Sequence, residues 1–248
     1  MTDSGNTVPR LSLIIPAYNE AARLGHTLDL AIAYLDTQPY ASEIVVVDDG
    51  SVDETVSVAR AHSAARTGVR VVSLAQNSGK GAAVRRGMLH EARGAVRLFY
   101  DADAATPIEE VGNVWPLLDA GAEIVIGSRA LPASQVLVHQ RWYREQMGKL
   151  NNRILRALGI TRFADTQCGF KAFTAHACDV VFPRQTIERF SFDAELLYIA
   201  HKHGLRITEL PVHWINSASS RLNPIVDAPR MVLDLMTIRL KDLLGRYR

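Results

Sequence analysis

The sequence has few cysteines and no long apolar run, and each absence excludes a class of protein. Cys168 and Cys178 are the two cysteines among 248 residues, and they fit neither a zinc site nor a disulfide framework. No apolar stretch approaches the roughly 20 residues that a membrane-spanning helix needs. The first ten residues are polar and lack the apolar centre of a signal peptide. We therefore expect a cytoplasmic protein with reduced thiols that does not cross a membrane by itself.

Two common nucleotide-binding motifs are also missing. The first loop is not a G-x-G-x-x-G turn, and no G-x-x-x-x-G-K-[ST] loop is present, which disfavours dinucleotide redox cofactors and P-loop ATP hydrolysis. The net charge of +2 gives no reason to expect a nucleic-acid partner. The charge is uneven, however, because residues 1–128 hold 10 basic and 16 acidic side chains whereas residues 129–162 hold 7 basic and 1 acidic. This asymmetry suggests an anionic partner of another kind.

What the sequence does contain is an alternation of apolar strands and helices. The hydrophobic content of 48% and the charged content of 22% are ordinary for a soluble globular protein. Strands are predicted at 11–16, 43–47, 69–74, 97–100 and 124–126, with helices between them. This alternation predicts an α/β fold with a mainly parallel sheet flanked by helices. We expect a flexible N-terminus (1–10), one catalytic domain (11–216) and a C-terminal amphipathic helical tail (217–248).

Polar side chains follow each of the first four predicted strands. In open α/β sheets, ligands bind beyond the carboxyl ends of the strands, so we expect these side chains to converge. Asp101 and Asp103 follow the fourth strand and can hold a hard divalent cation while leaving positions for phosphate, although Asp is also a common turn residue. Lys80 stands at a helix start, which is unfavourable for a cation and so favours a functional role. The set predicts a nucleotide bound by carboxylates, a lysine and a metal.

Several segments resemble known glycosyltransferases. Those that resemble inverting family 2 glycosyltransferases of GT-A (Rossmann-like) fold are Ile15–Glu20, Val46–Ser51, Asn77–Gly81 and Asp101–Asp103. Those that resemble the dolichyl-phosphate β-glucosyltransferase branch are Gly127–Arg129, His139–Arg141, Asp165–Lys171 and Phe192–Ala200. The resemblance implies transfer of glucose from UDP-glucose to a polyprenyl (dolichyl-like) monophosphate.

The resemblance also implies roles for individual residues. The nucleotide-sugar site would comprise Pro16, Ala17, Tyr18, Glu20, Asp48, Asp49, Lys80, Asp101, Ala102, Gln167 and Lys171. Asp103, with Asp101, would ligate Mg²⁺ or Mn²⁺. The acceptor phosphate would be held by Arg129, Arg141 and Arg221, since a guanidinium fork matches phosphate, although a solvated basic helix would look similar. Asp193 stands where relatives with hydroxyl acceptors have their base; with a phosphate acceptor it orients sugar hydroxyls or caps its helix.

The C-terminal tail combines apolar residues at helical spacing with basic ones. Val232, Leu235, Met236, Leu240, Leu243 and Leu244 are its apolar members. This pattern is typical of an interfacial helix on anionic lipid, which would place the protein on the cytoplasmic face of a membrane. It is equally typical of a helix that packs on the catalytic domain or forms the interface of a homo-oligomer.

Other functions remain open from the sequence. The donor could be GDP-mannose or UDP-N-acetylglucosamine, and the acceptor could be a soluble molecule. A nucleotidyltransferase also combines such a sheet with carboxylates and metal, but it would normally have a glycine-rich basic loop after the first strand, where this chain has Ala17-Tyr18-Asn19-Glu20. A non-catalytic nucleotide-sugar binder would not need the complete set of carboxylates, lysine and arginines.

Overall fold

The structure is a computed structural model that describes residues 8–138, 148, 152–156, 159–215 and 224–248, with the backbone alone for 138 and 224–232. Its strands are β1 (Leu11–Ala17), β2 (Ser42–Asp48), β3 (Val69–Ser73), β4 (Val96–Tyr100), β5 (Ile124–Ser128), β6 (Gln135–Val138), β7 (Phe170–Thr174), β8 (Ile207–Pro211) and β9 (His213–Ile215). A seven-stranded sheet has the order β3-β2-β1-β4-β7-β5-β8, and β6 and β9 form a separate pair.

Every strand of the large sheet except β7 runs in the same direction. β1 pairs in parallel with β2 and β4, β2 with β3, and β5 with β8. β7 is antiparallel to both of its neighbours, β4 and β5. The predicted mainly parallel sheet is thus confirmed. Because β7 starts opposite the end of β4, with Phe170 beside Tyr100, the residues that precede β7 lie at the carboxyl end of β4.

Helices cover both faces of this sheet. One face is covered by α1 (Ala21–Asp36), α2 (Thr55–Ala65) and α4 (Val111–Asp119), which follows a 3₁₀ turn at Ile108–Glu110. The other face is covered by α3 (Lys80–Arg85, continued as a π-helical turn at Arg86–Glu91), α5 (Ala175–Val181), α6 (Phe192–Lys202) and α7 (Pro224–Leu243). Alternate strand residues supply the two apolar cores: Ile14 lies in one, and Leu13 and Ile15 lie in the other. Burial on both faces explains why central strands such as β1 and β2 are mostly apolar rather than alternating.

The strand order reverses between β1 and β4. From β1 the chain passes outward to β2 and β3, and then returns to place β4 on the opposite side of β1. At such a reversal the loops that leave the two strands diverge and open a crevice beyond their carboxyl ends. The crevice is flanked by the loop after β1, with Tyr18 and Glu20, and by the loop after β4, with Asp101 and Asp103.

Both ends of the described part contact the domain. Of the predicted N-terminal segment, residues 1–7 lie outside the described part, whereas the Arg10 amide donates to the Ala41 carbonyl at 2.8 Å. The C-terminal amphipathic helix is α7, which buries Leu235 and Ile238 against the domain. Among the described helices, none has both the length and the apolar character needed to span a bilayer.

Candidate active site

The loop before α3 is fixed by the carboxylate of Asp49. This side chain is buried, and its two oxygens accept the backbone N–H groups of Ser78 and Gly79, each at 2.8 Å. Burial raises the pKa of Asp49, while the two N–H groups act in the opposite direction. Gly79 has a φ of +106°, and a Cβ there would lie 2.4 Å from the Glu188 carbonyl oxygen. Glycine is therefore required here, and the loop delivers Lys80 to the crevice.

Lys80 meets the two aspartates that follow β4. Its Nζ lies 2.6 Å from Oδ1 of Asp101. Burial alone would lower the pKa of Lys80, but the charges of Asp101 and Asp193 raise it overall, so the ammonium is retained. The pKa of Asp103 is raised by burial and by the charge of Asp101, while the Ala105 amide, Arg23 and Lys80 oppose the shift. The carboxylates of Asp101 and Asp103 and the ammonium group of Lys80 therefore lie close together at a partly exposed site.

The Asp101–Asp103 turn is held in an unusual backbone conformation. Ala104 has a φ of +50°, in the left-handed region that costs a non-glycine residue about 1–2 kcal/mol. The turn is closed by the Ala105 N–H, which donates to Oδ1 of Asp103 at 3.1 Å, and by Thr27, whose hydroxyl donates to the Ala102 carbonyl at 2.7 Å. These bonds compensate the strain and fix the backbone that carries the two carboxylates.

The donor set of this turn fits a divalent cation that is shared with a phosphate ligand. No group of three or more His, Cys, Asp and Glu side chains able to hold an ion occurs within the described residues. Mg²⁺ sites that work on phosphates commonly take one or two carboxylates and complete the shell with phosphate oxygens and water. The carboxylates of Asp101 and Asp103 fit that pattern.

Arg23 is a site residue that the sequence interpretation missed. From the first turn of α1 it contacts Oε2 of Glu20 at 2.5 Å and lies 3.8 Å from Oδ2 of Asp103. Arg23 thereby joins Glu20, which is predicted to bind the nucleotide, to the Asp101–Asp103 turn across the crevice. The spacing of three residues between Glu20 and Arg23 at a helix start is the signal that could have revealed this pair.

Arg129, at the end of β5, is held by Asp165. Oδ2 of Asp165 accepts Nε at 2.6 Å and the Arg129 amide at 3.1 Å, and Oδ1 accepts Nη2 at 2.9 Å. Burial opposes charge on both groups, but their attraction lowers the pKa of Asp165 to about 2 and raises that of Arg129. Trp214 lies below the guanidinium, with its ring centroid 5.3 Å from Cζ. Asp165 thus orients the guanidinium of Arg129, which stays charged. The other terminal nitrogen, Nη1, takes no part in these bonds to Asp165.

Lys171 and Asp193 form a buried ion pair. Lys171 is 0% exposed, and its Nζ donates to Oδ1 of Asp193 and to the Cys168 carbonyl, both at 2.6 Å. Burial raises the pKa of Asp193, while Lys171 and Lys80 act in the opposite direction. This burial gives Lys171 a supporting position behind Asp193. Its predicted contact with the donor stays a prediction.

The Lys171→Met variant should be strongly destabilised. It leaves the Asp193 carboxylate buried without its partner, which typically costs about 3–5 kcal/mol. The loss should shrink as the pH falls, because the pKa of Asp193 is already raised and a neutral carboxyl needs no partner. Urea unfolding at neutral and mildly acidic pH measures both effects. Lys202→Met, which removes a partly exposed pair with Asp242, is the matched control and should cost at most about 1 kcal/mol. Equal losses in the two variants would contradict the assignment.

The remaining predicted residues occupy different positions. Pro16, Ala17 and Asp48 are strand residues at the carboxyl edge, where the Ala17 carbonyl accepts the Asp49 amide at 2.8 Å. Tyr18 and Gln167 are half-buried, and Ala102 is buried between Asp101 and Asp103. Arg141 and Arg221 lie outside the described residues. The structure thus brings together Glu20, Lys80, Asp101, Asp103, Arg129 and Asp193 at one edge.

The fold and the site place this chain in the class of GT-A-like α/β proteins. Carboxylate, lysine and arginine side chains line its crevice, and such groups can bind a phosphate-containing ligand together with a cation. The sequence model of the family described as Glycosyl transferase family 2 matches residues 12–184, which is more than half of the chain. Dolichyl-phosphate beta-glucosyltransferase of Drosophila melanogaster is 38% identical over 253 residues, covering 96% of this chain and 77% of the relative. The Dictyostelium discoideum protein of that name is 36% identical over 252 residues, covering 96% and 76%. The chain belongs to glycosyltransferase family 2 and is a glycosyltransferase.

A solved structure supports the same fold. Glucosyl-3-phosphoglycerate synthase from Mycobacterium tuberculosis, in complex with Mn²⁺ and UDP-glucose, superimposes with a TM-score of 0.68. The match covers 96% of this chain and 79% of the synthase, with 22% sequence identity. At that identity the likeness establishes the fold alone, and it confirms the predicted GT-A architecture.

Proposed function

We propose that this glycosyltransferase moves glucose from UDP-glucose to a polyprenyl monophosphate, with inversion at the anomeric carbon and with Mg²⁺ or Mn²⁺ bound. The observation that carries the proposal is the convergence of Lys80, Asp101 and Asp103 on the crevice where the strand order reverses between β1 and β4. The acceptor is supported by the names of the relatives, which are dolichyl-phosphate beta-glucosyltransferases. The donor and the metal are supported by the fold neighbour, which binds Mn²⁺ and UDP-glucose.

The donor diphosphate would be bound by the turn after β4 and by the loop before α3. When bound to Asp101 and Asp103, a divalent cation supplies Lewis-acid neutralisation of the departing diphosphate. Lys80 would add a positive charge beside the diphosphate oxygens, since its salt bridge with Asp101 keeps its ammonium group in the crevice. Asp49 holds the loop that carries Lys80, so the charges are in place before the donor arrives.

The acceptor chemistry asks little of a general base. A phosphate monoester has a second pKa of about 6 and is largely ionised near neutral pH, so it can attack without first losing a proton. The protein then has to orient the acceptor phosphate and the donor diphosphate and to screen these two anions from each other. Arg129 supports this role, because Asp165 orients its guanidinium while one Nη stays outside that pair. Asp193, which is tied to Lys171, would orient donor hydroxyls.

The decisive experiment offers the purified protein three donors separately. UDP-glucose, GDP-mannose and UDP-N-acetylglucosamine are each incubated with Mn²⁺ or Mg²⁺ and a short polyprenyl phosphate, and lipid-linked sugar is measured. Product from UDP-glucose alone is the expected result. Product from another donor would overturn the sugar assignment. UDP-glucose binding without lipid product would exclude the polyprenyl acceptor and indicate a soluble one.

We also propose that α7 docks on the cytoplasmic face of a membrane. Five of the ten exposed large hydrophobic residues in the described part fall between 233 and 244: Leu233, Met236, Leu240, Leu243 and Leu244. At 3.6 residues per turn they form a stripe about 100° wide, opposite the buried Leu235 and Ile238. A lipid surface fits this stripe because the proposed acceptor is itself anchored in lipid, and exposed Arg246 and Arg248 follow the helix. The reduced thiols Cys168 and Cys178 are in keeping with a cytoplasmic site.

Removing part of this stripe should weaken membrane binding. Replacing both Leu240 and Leu243 by Ser removes two side chains, each worth about 1.5–3 kcal/mol when fully buried in lipid, so binding should fall at least about tenfold. Co-sedimentation with phosphatidylcholine vesicles, with and without phosphatidylglycerol, measures it. Leu30→Ser, at an exposed position of α1, is the matched control. If the double variant binds vesicles normally but dissociates an oligomer in solution, the stripe is a homo-oligomer interface.

A further inference from the structure

Glu195 of α6 is a buried acid that the proposed chemistry does not use. It is 0% exposed, and its carboxylate accepts the backbone N–H groups of Thr186 at 2.9 Å and Ile187 at 2.7 Å. It also accepts the Thr186 hydroxyl and, at 2.6 Å, the hydroxyl of Tyr247. Four donors therefore satisfy this carboxylate, and they fix the backbone of residues 186–187.

The segment 185–188 in turn supports the loop that carries Lys80. The Gln185 side-chain amide donates to the Gly81 carbonyl at 2.9 Å and to the Ile187 carbonyl at 2.8 Å. The Ala82 amide donates to the Glu188 carbonyl at 3.1 Å. A Cβ on Gly81 would lie 2.8 Å from the Ile187 carbonyl oxygen, so the two backbones are in direct contact. A displacement of residues 185–188 would displace the neighbours of Lys80 as well.

Tyr247, in the segment that follows α7, connects that segment to Glu195. It is 0% exposed, and its ring packs edge-on against Tyr198 with centroids 6.0 Å apart. Its carbonyl lies 3.0 Å from Nε2 of His203, and Nζ of Lys241 donates to the Thr186 hydroxyl at 2.6 Å. Lys241 of α7 is thus bonded directly to Thr186, and Tyr247 after α7 is bonded to Glu195, which holds residues 186–187.

We propose that Tyr247 and Glu195 are positioning residues that hold the Lys80 loop ready for the donor diphosphate. The inference rests on the proposed function in so far as the ligand is a nucleoside diphosphate sugar. It goes beyond that function, because it makes the packing of the C-terminal segment a condition for full donor affinity. Neither residue would touch the donor; both act through residues 185–188.

The test compares Tyr247→Phe with Tyr198→Phe. The first variant removes one hydroxyl donor from Glu195; the second removes a hydroxyl from the same helix interface, where it donates to Asp242 at 2.5 Å, without touching Glu195. In the free protein, amide exchange of Gly79 and Ala82 should accelerate about tenfold in Tyr247→Phe, the loss expected for one hydrogen bond to a charged group. Tyr198→Phe should leave it within about twofold.

Donor binding gives the second readout. With Mn²⁺ present, the Kd for UDP by calorimetry and the KM for the donor should rise about tenfold in Tyr247→Phe, with a smaller change in kcat. Unchanged exchange and affinity in Tyr247→Phe would overturn the positioning role. Equal effects in Tyr198→Phe would also overturn it, since loosened packing of α7 would then suffice. A wild-type protein that binds no UDP would refute the proposed function, and the exchange data would still decide the positioning role.

Discussion

Asp103→Asn should lower the rate of glycosyl transfer by about 10³-fold, because it removes the negative charge of the carboxylate proposed to bind the metal while keeping the shape of the side chain. Neutralising charge on a leaving diphosphate is worth several kcal/mol, and each 1.36 kcal/mol is a factor of ten in rate. The Ala105 N–H can still donate to the amide oxygen, so the turn should persist. The rate is measured with UDP-glucose and polyprenyl phosphate, and Mn²⁺ binding is followed by electron paramagnetic resonance with UDP present.

Asp119→Asn is the matched control for this variant. Asp119 is exposed at the end of α4, which precedes β5, so it lies at the opposite edge of the sheet from the crevice. It should retain wild-type transfer and Mn²⁺ binding. If Asp103→Asn also kept both, the cation would have to be held elsewhere and the assignment of this turn would fail.

The fold was predictable because its sequence signals are local. An unbroken β-branched run such as Val45–Val47 can be buried on both faces only in a sheet covered by helices on each side, and strand–helix alternation then requires parallel strands. The antiparallel strand β7 was not predictable in the same way. Phe170–Thr174 is a short segment interrupted by Lys171, it follows a long stretch without strand pattern, and its direction is set by pairing with β4 and β5.

The edge location of the site was predictable for a related reason. A residue that follows a parallel strand is placed by the strand itself, so Glu20, Asp49 and Asp103 needed no tertiary information. Partners from distant segments were not predictable. Asp165 reaches Arg129 across 36 residues, and Tyr247 reaches Glu195 across 52, with no periodicity that links either pair. Burial of Lys171 was also hidden, since a lysine in a strand is ordinarily exposed.

Gly169→Ala should nearly abolish transfer although the added methyl group is small. A Cβ at Gly169 would lie 2.0 Å from Cγ of Asp101, a distance at which one of the two must move. The Gly169 carbonyl also accepts the Asp101 amide at 3.0 Å, so the backbone cannot simply withdraw. The Asp101 carboxylate must therefore rotate away from Lys80 and from the Asp103 carboxylate. We expect a loss of about 10²–10³-fold in rate, the range for removing one preorganised electrostatic group.

Gly112→Ala separates this steric effect from the general cost of adding a methyl group. Gly112 is exposed in α4 and its Cβ would meet nothing closer than the Tyr34 hydroxyl at 3.7 Å, so alanine should leave activity unchanged and stabilise the helix by up to about 1 kcal/mol. Gly169 has no left-handed backbone requirement, and the three atoms nearest to an added Cβ all belong to Asp101, so we attribute the expected loss to that side chain. Combining Gly169→Ala with Asp101→Ala tests that reasoning. Because the side chain that clashes is gone, the double variant should be no slower than Asp101→Ala alone, and a further large loss would show that Gly169 acts by another route.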